Sequence, residues 1–304
     1  MKANARTGVA RTKRSLFIAS FILPTLALYA LFLLYPMFKG IYLSFFDWSG
    51  GSETYNYIGL DNFKEMWNDA IIPKSIRNDY ILLIGKIIGF MIMSLFFAVV
   101  LTRFRVKGAN FYRSVFFIPN VLSVVVVGVL WRYIYNPNLG FLNSFISLFT
   151  DKPYDYAWLG GKWAIFTLIP PSIWAGTGFS IILLIAGILA IPSTLYEAAD
   201  IDGASQWQQF RHISLPLMWE QVQTSVLWIT MTTLSGSFVI VKIMTFEGGT
   251  DNATQVLGSY LYYNAFKYGK FSYGAAIGVL ILVLALITTA ALQRLMKRET
   301  IELS

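Results

Sequence analysis

Three carboxylates, Glu197, Asp200 and Asp202, fall within six residues of one another between two apolar stretches of the chain. Carboxylates this close together could bind a metal ion or exchange protons with a substrate. The chain offers them no companion ligands, because it contains no cysteine and His212 is its one histidine. A cysteine–histidine zinc site, thiolate catalysis and a disulfide scaffold are therefore excluded. The three acids could then make charged contacts with a partner molecule or simply be solvated.

The acids belong to residues 192–216, a stretch whose pattern predicts two short helices joined by a bend. We expect Ser193 to cap the first helix, which should end near Asp202. Gly203 suits the bend, since glycine adopts a positive φ without steric cost. The first helix would then carry all three acids near the bend.

The second helix is predicted to start at Ser205, because Gln208 three residues later completes the spacing of a capping box. We expect this helix to continue to about Ile213. Such a compact helical projection could enter a groove on a partner protein. It could equally be an amphipathic loop that lies on a membrane surface with its carboxylates solvated. The residues alone leave both interpretations open.

The elements that position this loop are strongly apolar. Of the 304 residues, 56% are hydrophobic and 13% are charged, and the mean hydropathy is +0.58. A bilayer core about 30 Å thick is crossed by about 20 apolar residues, and stretches of this kind recur six times. They predict an all-α integral membrane protein with six transmembrane helices, the fourth of which bends at Pro170 and Pro171. The predicted segments are residues 15–46, 80–101, 114–135, 163–191, 217–243 and 273–295.

The distribution of Lys and Arg predicts that both termini and the loop 192–216 lie in the cytoplasm. Thirteen basic residues flank the helix ends on that side, against ten on the other, and they form the denser clusters. Because this topology accounts for the net charge of +8, we expect no nucleic acid to bind. The predicted organisation is a cytoplasmic tail (1–14), a six-helix domain (15–295) and a second cytoplasmic tail (296–304).

Small and hydroxyl-bearing residues recur at helical spacing inside the fourth and fifth segments. A sugar needs hydrogen bonds and aromatic faces, so these residues could line a substrate pathway. The alternative is close helix packing, which uses the same small residues. The candidates are Ser172, Gly176, Phe179 and Ser180 in the fourth segment and Thr230, Thr233 and Ser237 in the fifth.

Lys86 and Glu220 are the charged residues nearest to membrane depth, and both are placed near segment ends, where long side chains can reach water. A self-sufficient carrier or channel is an alternative class that would need an acid or base inside the membrane. The predicted segments carry no such acid or base away from their ends. A membrane-embedded enzyme is a third class, and no cluster of chemically reactive residues favours it.

The loop also carries a long motif that resembles the EAA signature of the permease subunits of ATP-binding-cassette (ABC) importers. The signature stands before the penultimate helix, where that family places it. The matching residues are Glu197, Ala198, Ala199, Asp202, Gly203, Ala204, Phe210, Ile213, Leu215 and Pro216.

This resemblance implies a type I importer permease fold, in which the loop docks into a cleft of an ATPase subunit. It also implies a second permease, two ABC ATPases and an extracellular solute-binding protein as partners. ATP and Mg²⁺ would be bound by the ATPases, since this chain has no GxxxxGK[ST] loop, and we expect neither a cofactor nor catalysis in the chain itself. The residues implied in ATPase coupling are Glu197, Ala198, Ala199, Asp200, Asp202, Gly203 and Ala204.

Three further stretches, residues 57–63, 136–143 and 247–266, resemble the carbohydrate-uptake branch of the family, specifically its maltose-type permeases. The chain departs from the enteric maltose permease, which has two additional helices and a large outer domain, so maltose itself is not implied. The resemblance implies a bacterial plasma membrane protein that imports a sugar or oligosaccharide, with glycerol phosphate as an alternative solute. It also favours the pathway interpretation of the two polar helix faces.

Overall fold

The computed structural model describes residues 17–51, 54–104, 106–150 and 153–298. In these ranges, five helices are long and apolar enough to cross a membrane, and a bent pair of helices makes six when the pair is counted as one span. The predicted tail 1–14 and residues 299–304 of the other tail lie outside the described residues. Spans 1 to 6 are Phe17–Leu43, Ile71–Arg103, Ala109–Val121 with Val124–Ile134, Ala164–Leu189, Trp219–Thr245 and Phe271–Leu295.

Short elements connect the spans. Between spans 1 and 2, Phe46–Asp47 pairs with Asn56–Tyr57 as antiparallel strands, in a register that places Phe46 opposite Tyr57. Helices fill much of the remaining connections. They are Asp61–Asn68 before span 2, Phe141–Ser147 after span 3, Ser193–Ile201 and Gln206–Gln209 between spans 4 and 5, and Leu257–Tyr262 before span 6.

The sharp bend lies in span 3 and not in span 4, where the sequence predicted it. The two halves of span 3 meet at 96°. The first half ends two residues after Pro119, and Ser123 then caps the second half by accepting a hydrogen bond from the Val125 N–H at 3.3 Å. Pro170 and Pro171 instead occupy the first turn of the long helix of span 4, where a missing N–H leaves no intrahelical bond unmade.

Spans 2 and 4 pack closely because glycines face the contact. A Cβ atom added to Gly89 would lie 2.0 Å from the Ile173 side chain. A Cβ atom on Gly178 would lie 2.5 Å from the carbonyl oxygen of Phe116 in span 3. The absence of a side chain at these glycines lets the helix backbones come close together and increases their dispersion contact. In a bilayer this contact matters because the hydrophobic effect does not drive helices together.

Span 2 holds two buried ionisable side chains, contrary to the prediction that the charged residues lie near the ends of the segments. The helix begins at Ile71, nine residues before the predicted segment, so Asp79 lies within it. Lys86, predicted to reach water from a helix end, is central in the helix and only 8% exposed. Asp79 is 3% exposed and accepts a hydrogen bond from the Leu257 N–H at 2.9 Å. Asp79 and Lys86 are therefore buried within span 2, whereas Glu220 does lie in the first turn of span 5.

The segment between span 5 and the helix Leu257–Tyr262 is held to span 2. The Asn78 amide donates to the carbonyl oxygens of Ala253 at 3.1 Å and Gln255 at 2.8 Å. The backbone of this segment is strained, since several non-glycine residues have a positive φ. These residues are Phe246, Glu247, Asp251 and Asn252.

Candidate functional site

The first helix of the loop 192–216, which we call the coupling loop, runs from Ser193 to Ile201. Pro192 occupies its N-cap position, and no side chain caps this end. The prediction that Ser193 caps the helix was therefore wrong, because Ser193 is already the first helical residue. A proline fits here, since a helix N-terminus has N–H groups without intrahelical partners.

The bend of the coupling loop is a Schellman motif. Asp202 is the C-cap residue of the first helix, and Gly203 follows with a φ of 75°. The Ala204 N–H donates to the Ala199 carbonyl at 2.9 Å, and the Gly203 N–H donates to the Asp200 carbonyl at 3.1 Å. This pair of bonds defines the motif and requires a left-handed residue at the glycine position. The predicted bend is confirmed.

The second helix starts with the predicted capping box. The Gln208 N–H donates to the Ser205 Oγ at 3.3 Å, and the Ser205 N–H donates to the Gln208 Oε1 at 2.7 Å. The helix then widens into a π-helical turn, Phe210–Ser214, and continues through Leu215–Leu217, four residues beyond the predicted end. Pro216 has no N–H for the usual bond, which accounts for the wider turn before it. Span 1 has the same arrangement before Pro36.

The bend presents an open, charged surface. Glu197, Ala198, Asp200, Asp202 and Gly203 are exposed, while Ala199 and Ala204 are half-buried. Apart from its two chain neighbours, no described residue has an atom within 4 Å of a Cβ placed on Gly203. The small residues at the bend thus leave room around the backbone, and the surrounding carboxylates give this surface a negative charge.

A buried amide, not among the site residues predicted from the sequence, joins the coupling loop to span 2. Gln209 is 2% exposed; its Oε1 accepts from Arg103 Nη2 at 2.9 Å. Its Nε2 donates to Asp200 Oδ1 at 2.5 Å and to the Ala204 carbonyl at 3.2 Å. The Arg103 guanidinium also stacks 3.6 Å from the centre of the Tyr196 ring. We call the contact of Arg103, Gln209 and Asp200 the loop joint.

The predicted hydroxyl face of span 5 lies inside the chain. Thr230, Thr233 and Ser237 are at most 3% exposed. The Thr230 hydroxyl donates to the Val226 carbonyl at 2.8 Å, and the Ser237 hydroxyl donates to the Thr233 carbonyl at 2.7 Å. Buried hydroxyls satisfied by their own helix are typical of helix packing, which is the alternative that the sequence left open for them.

The predicted face of span 4 is mostly covered as well, with one exception. Ser180 is buried, Ser172 is half-buried and donates to the Leu168 carbonyl at 2.9 Å, and a Cβ on Gly176 would lie 2.5 Å from the Phe90 ring. Phe179 differs, because it is 36% exposed and its ring lies 5.4 Å from that of Trp228 on span 5. Of the candidates in span 4, Phe179 is the one placed on an exposed surface.

An exposed polar strip runs along the other face of span 5. Trp228, Thr232, Ser235 and the half-buried Lys242 follow one another at intervals of four, three and seven residues, which keeps them on one side of a helix. Thr232 and Ser235 are exposed, as is Trp228 at 52%. The sequence did contain this second set of hydroxyls: Thr232 is one residue before the predicted Thr233, and Ser235 is two residues after it.

The strip ends in a pocket of about 630 Å³ at the end of span 5 farthest from the coupling loop. The Arg132 guanidinium lies 4.2 Å from the centre of the Phe246 ring, and Lys242 Nζ lies 3.9 Å from that of Tyr262. Lys267 Nζ donates to Glu247 Oε1 at 2.5 Å, and this hydrogen bond raises the pKa of Lys267 above its ordinary value. We call it the outer pocket; its polar and aromatic lining includes Arg132, Lys242, Phe246, Glu247, Tyr262 and Lys267.

No group of three or more potential metal-binding side chains lies together in the part of the chain that the structure describes. The three acids of the coupling loop accordingly do not converge on one point. Asp200 is turned toward Gln209, whereas Asp202 ends the helix. The arrangement suits contact with a partner.

Comparisons with known proteins agree with this geometry. Residues 91–301 match the family model described as the inner membrane component of binding-protein-dependent transport systems. The diacetylchitobiose uptake permease of Streptomyces coelicolor is 35% identical over 94% of this chain and 84% of that protein. The multiple sugar-binding transport permease of Streptococcus mutans is 30% identical over 92% of this chain and 94% of its own length.

The fold also matches solved structures. A chain of a bacterial ABC transporter that imports the acidic polysaccharide alginate superimposes with a TM-score of 0.82 at 22% identity, covering 96% of this chain and 99% of that chain. At that identity the likeness shows the fold, which is that of an ABC importer permease. The chain thus belongs to the family of binding-protein-dependent transport system inner membrane components.

Proposed function

We propose that this chain is one permease subunit of a plasma membrane importer for a sugar or oligosaccharide. The relatives described above are sugar-uptake permeases that align over most of the chain. An alpha-glucoside permease of Rhizobium meliloti is also 31% identical over 87% of this chain. The observation that carries the proposal is the exposed coupling-loop bend, which combines a Schellman turn, small residues and carboxylates in one projection.

The coupling loop docks into a cleft of an ABC ATPase that binds ATP and Mg²⁺. Glu197 and Asp202 supply charged contacts, and Ala198 and Gly203 let the partner approach the backbone. ATP-driven movement of the ATPases then reaches the spans through the loop as a rigid-body shift. The loop joint supports this role, because it fixes the projection to the end of span 2 and limits independent movement.

A second permease covers the exposed strip of span 5, and the sugar passes between the two subunits. The Thr232 and Ser235 hydroxyls donate to carbonyl oxygens of their own helix, but Lys242 would be costly if it faced lipid, so the strip favours an aqueous or protein-lined boundary. Phe179 and Trp228 place aromatic rings beside it. Ser172, Gly176, Thr230, Thr233 and Ser237 support the pathway from behind by setting helix spacing. An extracellular binding protein delivers the sugar to this boundary.

Mild detergent extraction from the native membrane tests the assembly. The chain should co-purify with ABC ATPases and a second permease, and recovery without any ATPase would refute the proposal. The loop is tested with Gly203→Val, whose branched side chain is strained at a φ of 75°. We expect sugar uptake and stimulated ATP hydrolysis to fall at least tenfold.

Gly203→Asn is the matched control, since asparagine tolerates this backbone conformation and adds a side chain of similar size. If the valine variant transports normally, the bend has no coupling role. If both variants fail equally, the lost space and not the conformation is responsible, and the close approach of a partner gains support. Membrane insertion of each variant is checked by its yield in the purified membrane fraction.

A further inference from the structure

The outer pocket has strained backbone at its edge. Span 5 ends at Thr245, and the next two residues, Phe246 and Glu247, have φ values of 45° and 28°. A phenylalanine in this region is unusual, because its Cβ crowds the backbone. Both side chains line the pocket as a result of this turn. Strain of this kind concentrates at ligand sites, where surrounding structure holds it in place.

Two cations in the pocket have no acidic partner among the described residues. Arg132 and Lys242 each lie over an aromatic ring, and no carboxylate among the described residues is within ion-pair distance of either. Their N–H groups therefore keep unused hydrogen-bonding capacity. Glu247 is an acceptor on the same wall, already oriented by Lys267. The pocket offers donors, an acceptor and aromatic surface together.

The dimensions and position of the pocket also fit a small polar ligand. Its volume of about 630 Å³ is in the range of small-molecule sites. Lys242 lies seven residues after Ser235 on the same side of span 5, so the pocket continues the exposed hydroxyl strip. A ligand that leaves the pocket along span 5 meets Ser235, then Thr232, then Trp228.

We propose that the outer pocket is a sugar subsite at the outer entrance of the pathway. It takes one or two pyranose rings, whose hydroxyl groups accept from Arg132 and Lys242 and donate to Glu247, while an apolar ring face packs on Phe246. The inference rests on the proposed function and adds a binding site to it. The subsite receives sugar from the binding protein before the sugar reaches the middle of the membrane.

The test uses the assembled importer in liposomes with a saturating amount of its binding protein. The probe is whichever of diacetylchitobiose, maltose or lactose the wild-type complex transports. For the double variant Arg132→Gln/Lys242→Gln, we expect uptake to fall about tenfold, while ATP hydrolysis stimulated by the binding protein stays within twofold. Arg132→Lys/Lys242→Arg should retain more than half of the uptake, because the donors remain.

Arg77→Gln/Lys162→Gln is the matched control, since it removes two cations at the same end of the spans and outside the outer pocket. Saturation-transfer NMR of the complex without binding protein should show contact with the sugar in the wild type and at least a fivefold weaker signal in the Arg132→Gln/Lys242→Gln variant.

Normal uptake by the Arg132→Gln/Lys242→Gln variant would overturn the inference. A lower apparent affinity for the binding protein, with unchanged uptake once it is saturating, would also overturn it and assign these cations to protein docking. An equal loss in the control pair would show a general effect of charge. Failure of the wild-type complex to transport any sugar would instead contradict the proposed function.

Discussion

Replacement of Gln209 tests whether the loop joint orders the coupling loop. Gln209→Leu removes hydrogen bonds to Arg103, Asp200 and the Ala204 carbonyl. Two of these involve charged groups, each contributing about 1.5–3 kcal/mol, and the third contributes about 1 kcal/mol. Water can rehydrate the half-buried Arg103 and the exposed Asp200 in the variant. We therefore expect the loop to lose about 2–3 kcal/mol of local stability and not the full sum.

Hydrogen–deuterium exchange of the coupling loop measures this loss. The reporters are the amides of Gly203 and Ala204, whose hydrogen bonds define the bend. If local opening controls exchange, a loss of about 2–3 kcal/mol speeds it by about 30- to 140-fold. Amides near the middle of the spans should exchange as in the wild type. In the assembled importer, the same variant should weaken the stimulation of ATP hydrolysis by the binding protein.

A swap of donor and acceptor tests the geometry of the joint. Gln209→Glu keeps an acceptor for Arg103 but places a carboxylate beside Asp200, so exchange should be fast. Adding Asp200→Asn to Gln209→Glu supplies an amide donor opposite the new carboxylate, and exchange should slow again. If Gln209→Leu exchanges like the wild type, or the double variant recovers nothing, then the joint does not hold the loop and the reasoning fails.

Three further predictions concern packing, the outer segment and pH. Gly178→Ala should destabilise the protein by about 1–3 kcal/mol in thermal unfolding, because its methyl group meets the backbone of span 3. Gly236→Ala should not, because outside its own helix no atom of the described residues lies within 4 Å of the new methyl group; equal melting temperatures would contradict the packing argument. Asn78→Leu removes two buried hydrogen bonds and should make residues 246–256 cleavable by protease at least tenfold faster, and unchanged cleavage would refute the tether. Burial, and then its hydrogen bond to an aspartate, raises the pKa of Tyr260, so this phenol contributes stability below its unfolded pKa of about 10 that is lost as the pH rises further. The difference between the melting temperatures at pH 9 and pH 11 should therefore be smaller in Tyr260→Phe than in the wild type. An equal difference in both proteins would refute the role given to Tyr260.

Local patterns were sufficient for much of the coupling loop. The capping box at Ser205 and the bend at Gly203 were predicted because each depends on residues within about five positions. The end of the second helix was not predicted correctly. Pro216 lacks the N–H for the usual helical hydrogen bond, but a π-helical turn lets the helix continue past it. Gln209 was overlooked because its partners, Arg103 and Asp200, come from separate parts of the chain.

The sequence by itself determined that the protein is a six-span membrane protein, since runs of apolar residues and the placement of Lys and Arg are properties of the chain alone. It also determined the family, through the motif in the coupling loop. The tertiary structure decided which faces of those spans are open. Thr232 and Thr233 have the same chemistry and adjacent positions, yet one is exposed and the other is buried.

Whether a residue such as Thr232 or Thr233 is exposed depends on which neighbouring helix covers each side of the span. The sequence of an apolar helix with scattered hydroxyls gives little indication of which side is covered. The same reason applies to Asp79 and Lys86, which the tertiary structure buries within span 2. It applies as well to the outer pocket, whose cations and aromatic rings come from spans 3 and 5 and the segment before span 6. Contacts between distant segments bring these residues together.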